Sequence, residues 1–484
     1  MRKNPHLYEC SAWPWLEALS PRAGKMVTLA NVPAAAWDVL AKRGVDCVYL
    51  MGVWRRSAIG RLAARSHPGL IGEYDRILPG WSMDDVPGSP YCIQAYEPDA
   101  RMGGWEGLDK ARADLAARGM TLILDFVPNH TGFDHSWIQS NPDFYVQSTL
   151  DNYRLEPQLF HPVEDARDNT IVRFIACGRD PFFPPWSDVA QLNYFNPKTR
   201  EAMIGVLKTI SAHCDGVRCD MAMLVLNDVF AQTWAQRVDL LRDAPSEEFW
   251  PQATSRVKMT YLAEVYWDRE YQLQQQGFDF TYDKQLLDRL HHGNAAETRG
   301  HLRADPAYSA KLARFLENHD EARSLPQFGT RIRAAAALTF TTPGLRFFFD
   351  GQFEGADLRG PVQLGRWPAN PDRPEIRDLY ARLLKAIDKP LFHDGEWRLL
   401  DGTSPDLVAC SWRKGKDLAI VAANITDHDA DGLVNVGDLP KGDAFRLVDQ
   451  LADRSYTWRR DDLARGLYVK LASGDAHVFI VKAD

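Results

Sequence analysis

The chain has 484 residues, enough for about three domains at roughly 150 residues each, or for one large barrel with additions. Its 45% hydrophobic and 25% charged residues are globular values, which excludes a disordered chain and a collagen-like repeat. A net charge of −8 argues against nucleic acid or an anionic membrane as the main partner. No apolar run approaches the roughly 20 residues of a membrane span. The stretch Met1–Ser20 carries Arg2 and Lys3 but no apolar core or small-residue cleavage site, so it does not read as a signal peptide. The 7 cysteines are scattered, with no CxxC, and read as buried reduced thiols of a cytoplasmic protein.

In chain order, Leu7–Cys10 reads as a strand and Pro33–Lys42 as a helix whose Trp37, Leu40 and Ala41 share one face. Cys47–Val53 is a nearly unbroken apolar run, the pattern of a parallel strand buried on both faces. The unit recurs. Gly107–Arg118 is helical, Thr121–Val127 a strand, Arg200–His213 a helix and Gly216–Cys219 a strand. Thr260–Val265, Phe278–Thr281 and Arg314–Glu317 read as strands. Arg331–Thr341 is a helix that leads into a last strand, Leu345–Phe349. Repeated strand–helix units imply right-handed crossovers and a parallel sheet. Eight of them predict an α/β fold, a (β/α)8 TIM barrel. Residues 132–193 lack a helical period and read as a subdomain inserted after strand 3. From 390 onward, Leu399–Leu400, Leu407–Trp412, Leu418–Ala423 and His477–Val481 are short strands between turns, predicting an antiparallel β-sandwich. The expected organisation is therefore barrel (1–131), insert (132–193), barrel (194–389) and C-terminal β-sandwich domain (390–484).

In such barrels the chemistry lies at the C-terminal strand ends. Strand 3 ends in Asp125 to His130, strand 4 in Arg218-Cys-Asp220, strand 5 in Glu264 and strand 7 in Asn318-His319-Asp320. So many carboxylates at one barrel mouth cost stability unless they are paired or used. Arg218 and Asp220 are two residues apart and face the same way on a strand, which predicts a guanidinium that keeps Asp220 ionised. Glu264 has no adjacent cation in sequence. Cys219, between Arg218 and Asp220, points into the barrel wall, and His291-His292 reads as a helix end.

These segments resemble the α-amylase-type family of retaining glycoside hydrolases. Its four short motifs are matched in order by Asp125–His130 (DFVPNH), Gly216–Asp220 (GVRCD), Glu264–Val265 (EV) and Glu317–Asp320 (ENHD). Gly88–Tyr96 (GSPYCIQAY) looks like the family's loop after the second strand. The resemblance implies a double displacement, with Asp220 as nucleophile, Glu264 as acid/base and Asp320 as the carboxylate that holds sugar hydroxyls. It implies sugar contacts for Tyr91, His130 and His319, and Arg218 beside them. It implies a structural Asp125 paired with Arg218. Arg323 resembles members acting on short α-glucosides, and Asn129 matches a position that ligates calcium in many members. Calcium is expected only as a structural ion, no cofactor is required, and the partner is a small α-glucoside or oligosaccharide. Trp137, Trp186 and Trp267 are candidate sugar platforms. The chain departs from the family at Ala95, where Asp is usual, at Met221-Ala-Met-Leu after Asp220, and at Gln352, where Glu is frequent. Transglycosylation stays open beside hydrolysis. A catalytically inactive sugar-binding barrel is disfavoured because all three carboxylates are present. A metal-dependent hydrolase is disfavoured because the first strand, HLYECSAW, has no HxH.

Overall fold

A computed structural model describes residues 1–238, 241 and 244–483. The last residue of the expected C-terminal domain, 484, lies outside the described residues. Eight parallel strands close a barrel. They are β1 (His6–Ser11), β2 (Cys47–Met51), β3 (Thr121–Phe126), β4 (Gly216–Cys219), β5 (Thr260–Ala263), β6 (Phe280–Tyr282), β7 (Leu312–Arg314) and β8 (Leu345–Phe349). Each pairs with its chain neighbour, and β1 closes against β8 with His6 beside Arg346.

The physical reason for these strands is visible in their burial. Every residue of β2 and of β8 is covered, because helices pack on one side and the barrel interior fills the other. The helix Ala34–Lys42 buries Trp37 and Leu40 against this sheet, with Pro33 at its N-cap. Gly44 then turns the chain into β2 at φ +76°, and a Cβ there would lie 2.7 Å from Asp388 Oδ1. The helix before β4 starts at Pro197, earlier than the apolar period alone indicates, because the Asn196 side chain caps it by accepting from Lys198 N–H.

Three expectations are corrected. The seventh strand is Leu312–Arg314, not Arg314–Glu317. Phe315 and Leu316 are as buried as the strand, so the apolar run outlasts the ladder. The insert begins inside the motif, not at 132. His130–Gly132 pairs antiparallel with Val189–Gln191 and is the first strand of a five-stranded sheet that also includes Gln147–Ser148, Phe160–Asp165, Asp168–Gly178 and Trp186–Gln191. A second excursion after β2 was read as plain barrel. The hairpin of Trp54–Arg56 with Ile93–Pro98 and the helices Ala58–Ser66 and Pro68–Ile77 enclose a small core of Ala64, Tyr74, Leu78, Val86 and Leu364. This excursion carries Tyr91 to the barrel mouth.

The C-terminal domain is antiparallel as expected. A six-stranded sheet faces the pair Ala430–Val434 and Leu467–Leu471 over a core that includes Ile420, Phe445, Leu447 and Val469. Trp412 donates its indole N–H to the Thr341 carbonyl at 2.6 Å, which ties this sheet to the barrel.

Candidate active site

β4 supplies the centre. Alternation along Gly216–Cys219 turns Cys219 into the buried wall and Arg218 into the barrel lumen, where its side chain is fully covered. Arg218 Nη1 donates to Asp220 Oδ1 at 2.8 Å. Its Nη2 lies 2.8 Å from Glu264 Oε2 and 3.9 Å from Asp320 Oδ2. The Nη2–Glu264 contact is electrostatic and out of hydrogen-bonding line, so Nη2 has no aligned acceptor. One guanidinium thus touches all three carboxylates that sequence reasoning singled out. It lies over the Tyr91 and Tyr282 rings, 5.3 and 5.7 Å from their centroids.

Two expectations about this arginine change. Glu264 does have a cation beside it, contributed by the neighbouring strand. Asp125 forms no ion pair with Arg218. Although the two stand side by side in the ladder, the Asp125 carboxylate accepts from Tyr49 Oη at 2.5 Å and from Gly52 N–H at 2.6 Å. Gly52, at φ +82°, turns its amide inward to reach it.

Glu264 leaves β5 with its amide bonded to the Cys219 carbonyl. Its Oε2 accepts from Met221 N–H at 2.7 Å and its Oε1 from Tyr266 Oη at 3.0 Å. Met221 holds φ +41°, a left-handed conformation rare for a side-chain-bearing residue, and that conformation accompanies an amide aimed at Glu264. Burial pushes the Glu264 carboxyl up to about 7, against Arg218 and with help from Asp220 and Asp320. Burial also raises Asp220. Arg218 opposes that rise, as expected from sequence, but does not overcome it.

Asp320 follows β7 on a buried loop. His319 stands between it and Glu9 of β1, with Nδ1 2.5 Å from Glu9 Oε1 and Nε2 2.9 Å from Asp320 Oδ2. Burial disfavours the imidazolium, but the carboxylates of Asp320 and Glu9 outweigh it and hold His319 well above its usual value. Burial likewise lifts Asp320, but His319, Arg218 and Arg359 outweigh it and leave this carboxyl below its usual range. Its side chain is still 46% exposed to the cleft. Tyr91 Oη lies 2.6 Å from His319 Nε2, and the two rings stack.

These groups open into a cleft of about 370 Å³ lined by Tyr91, His130, Trp186, Asp220, Glu264 and Asp320 among others. His130 is neutral, pushed down to about 4 by burial. At Met221 and Tyr266 the cleft meets a larger cavity of about 630 Å³ that contains Trp267 and Phe183. Of the candidate platforms, Trp186 lines the cleft and Trp267 the cavity. Trp137 lines neither and packs edge-on against Phe144 and His135.

Arg323 is not at the cleft. It is buried behind it, donating to Glu317 Oε1 at 2.8 Å and to the Asp350 carbonyl at 2.7 Å, with its guanidinium over Phe349. Its place is structural, because the carboxylate of its own ENHD motif, Glu317, captures it. Asn129 is engaged at both ends of its amide by Gln191: Oδ1 accepts at 2.8 Å and Nδ2 donates at 3.2 Å. Among the described residues no group of three or more His, Cys, Asp and Glu side chains could hold a metal ion. The Asn129 amide is thus already engaged by Gln191, and no step below runs through calcium. Gln352 accepts from Phe349 N–H and donates to Tyr380 Oη, a buried brace under the last strand. Sequence reasoning missed Glu9, Tyr266 and Asp188. Glu9 lies inside the first strand, two residues before its end, so no strand-end signal marked it.

Residues 84–359 match the family model described as "Alpha amylase, catalytic domain". The chain belongs to the alpha-amylase family. Among curated members, it is 24% identical over 329 residues to "Alpha-amylase 3" of Dictyoglomus thermophilum, with 62% of each chain covered. It is 27% identical over 271 residues to a 4-alpha-glucanotransferase of Thermotoga maritima, covering 51% of this chain and 55% of that one. The chain thus spans less than two thirds of the length of the curated family members it matches. A crystal structure of a "noncanonic maltogenic alpha-amylase AmyB" from Thermotoga neapolitana shares the fold at TM-score 0.70 and 18% identity, over 99% of this chain and 98% of that one. An alpha-amylase from Geobacillus thermoleovorans, complexed with acarbose, does so at TM-score 0.66 and 19% identity over 99% of each.

Proposed function

We propose that this family member is a retaining glycoside hydrolase acting on short α-linked glucosides. The observation that carries the reading is the Arg218 clamp. It holds Asp220 and Glu264 from adjacent strands but hydrogen-bonds only Asp220, while burial lifts Glu264 to about 7, so Asp220 is the carboxylate fit to attack and Glu264 the acid fit to donate a proton. The Asp220 carboxylate attacks the anomeric carbon. The bond from that carbon to the leaving oxygen breaks, and Glu264 gives its proton to that oxygen. In the second step water attacks the same carbon, Glu264 takes the water's proton and the bond to Asp220 breaks. Asp320, beside a cationic His319, is an acceptor for sugar hydroxyls, and Tyr91 is a flat face for the ring. No cofactor enters either step. All seven thiols are buried and unpaired, which suits a reducing, cytoplasmic compartment. No helix of the described residues is long and apolar enough to cross a membrane.

Transfer to a sugar acceptor is the second reading, favoured by the 630 Å³ cavity that joins the cleft beside Glu264 and has room for an acceptor. The test is product analysis with maltose, maltooligosaccharides, isomaltose, trehalose and sucrose, with and without added acceptor sugar. Cleavage that Asp220→Asn abolishes supports the mechanism. Products longer than the substrate select transfer, and equal activity in the variant overturns both.

A further inference from the structure

The insert contributes a carboxylate that the mechanism does not use. Asp188 lines the cleft beside Trp186 and His130, across from Ser89 and Gln363. The strand that carries it, Trp186–Gln191, lines the cleft that also holds Asp220 and Glu264, and does not line the larger cavity. Its backbone is fixed. Cys92 Sγ–H donates to the Asp188 carbonyl at 3.1 Å, and the next residues, Val189 and Ala190, pair with Gly132 and Thr131.

The carboxylate itself is different from its neighbours. Asp220 is bonded to Arg218, Glu264 to Met221 and Tyr266, and Asp320 to His319. Among the described residues no other residue hydrogen-bonds or ion-pairs with the Asp188 carboxyl; the donor it has is its own amide N–H. His130 beside it is neutral and supplies no charge. Burial raises the Asp188 carboxyl above its usual range. A half-buried carboxylate that faces a ligand cleft and has no donor from any other residue leaves lone pairs open to donors of the ligand. A ligand made of neutral hydroxyls supplies them in adjacent pairs.

We propose that Asp188 is a substrate-binding residue that accepts hydrogen bonds from neighbouring hydroxyls of the sugar unit held in the cleft, and so selects donors that are unsubstituted at those positions. This rests on the glucoside reading above and adds a specificity determinant to it. Asp188 takes no part in bond making or breaking.

The test compares native chain, Asp188→Ala and Asp188→Asn on 4-nitrophenyl α-glucoside and its 3-, 4- and 6-deoxy analogues. Calorimetric titration with 1-deoxynojirimycin accompanies it. Native enzyme should lose roughly 10- to 100-fold in kcat/KM on one or two of the deoxy analogues. Asp188→Ala should lose a similar factor on the parent glucoside, mainly through KM, and should then be indifferent to the same deoxy position. Its affinity for 1-deoxynojirimycin should fall in parallel. Should the alanine variant not fold, the isosteric Asp188→Asn carries the test, with thermal melts as control. Variants that keep native kcat/KM and native sensitivity to every deoxy position overturn the inference and leave the glucosidase reading intact. If the native chain binds 1-deoxynojirimycin without cleaving the glucoside, an unchanged affinity in the variants overturns the inference by itself. A native chain that neither cleaves nor binds brings down both.

Discussion

Of the three arginines fully buried on barrel strands, Arg218, Arg314 and Arg346, two stand at opposite ends of the barrel, Arg218 near the C-terminal end of β4 and Arg346 near the N-terminal end of β8. Arg346 donates to the Phe392 carbonyl at 2.6 Å and to the Ile387 carbonyl at 3.2 Å, and contacts His6. Among the described residues it has no carboxylate partner. Burial, with nearby Arg2, lowers it to about 9. Arg218 meets three carboxylates and is held well above its usual value against the same burial. Carbonyl acceptors neither titrate nor react, so the bottom arginine fastens β8 to the segment that leads into the C-terminal domain. Carboxylate acceptors do both, so the top arginine gathers groups that can change state. The same side chain serves stability at one end and chemistry at the other.

The sharpest way to break this comparison is Asp220→Asn. It should reduce kcat/KM by roughly 10⁴-fold or more, while the thermal melt stays near native, because an unfavourably buried charge is removed and the shape is kept. A variant that melts early yet turns over normally would place Asp220 with the structural residues. The matching change at the other end is Arg346→Met. It leaves the Ile387 and Phe392 carbonyls without their donor, at about 1–3 kcal/mol each. Denaturant unfolding should show that loss, and the activity per folded molecule should be unchanged. Lost activity with an intact melt would mean the two ends are coupled.

The third prediction concerns pH. Glu264 has to be protonated to give its proton to the leaving oxygen, so kcat/KM should fall as pH rises through about 7. The sign for stability follows from the same shift. Between its ordinary value of 4.5 and about 7 the folded chain keeps a proton that the unfolded chain has lost. Stability therefore declines with rising pH across that window. Glu264→Gln should flatten this part of a melting-temperature profile and abolish the rate. A native profile that climbs between those values would contradict the assignment of the buried acid.

The sequence made one half of this comparison legible and hid the other. Asp220, Glu264 and Asp320 stand out because a parallel barrel brings C-terminal strand ends together, and short motifs mark those ends. Arg346 carries no such mark. It lies inside the apolar run LRFFF, and its acceptors are backbone carbonyls, which every residue has. Long-range partners were hidden for a related reason. The reach of Arg218 to Glu264, the Glu9–His319 contact and the capture of Arg323 by Glu317 depend on which way side chains lean inside the barrel, and residue spacing does not encode that. The strands of the insert were missed because Phe160–Asp165 is largely exposed and shows no apolar alternation. Asp188 lies on another strand of the insert, so its place at the cleft appears only in three dimensions.

The smallest predicted effect tests whether the top of the barrel is tuned or merely assembled. Tyr266 donates its hydroxyl to Glu264 Oε1 at 3.0 Å. A donor on a carboxylate favours the ionised form. Tyr266→Phe keeps the ring between the cleft and the larger cavity but removes that donor, so the Glu264 carboxyl should rise further. The alkaline limb of the pH–rate profile should then move up by a few tenths of a unit, with a rate change of less than about tenfold at its plateau. Stability should change by no more than about 1 kcal/mol, since the hydroxyl borders the open cleft. If the limb stays in place while KM rises, Tyr266 acts on the sugar alone. The proton on Glu264 is then governed by burial and by its carboxylate neighbours, with Arg218 as the one strong opposing charge.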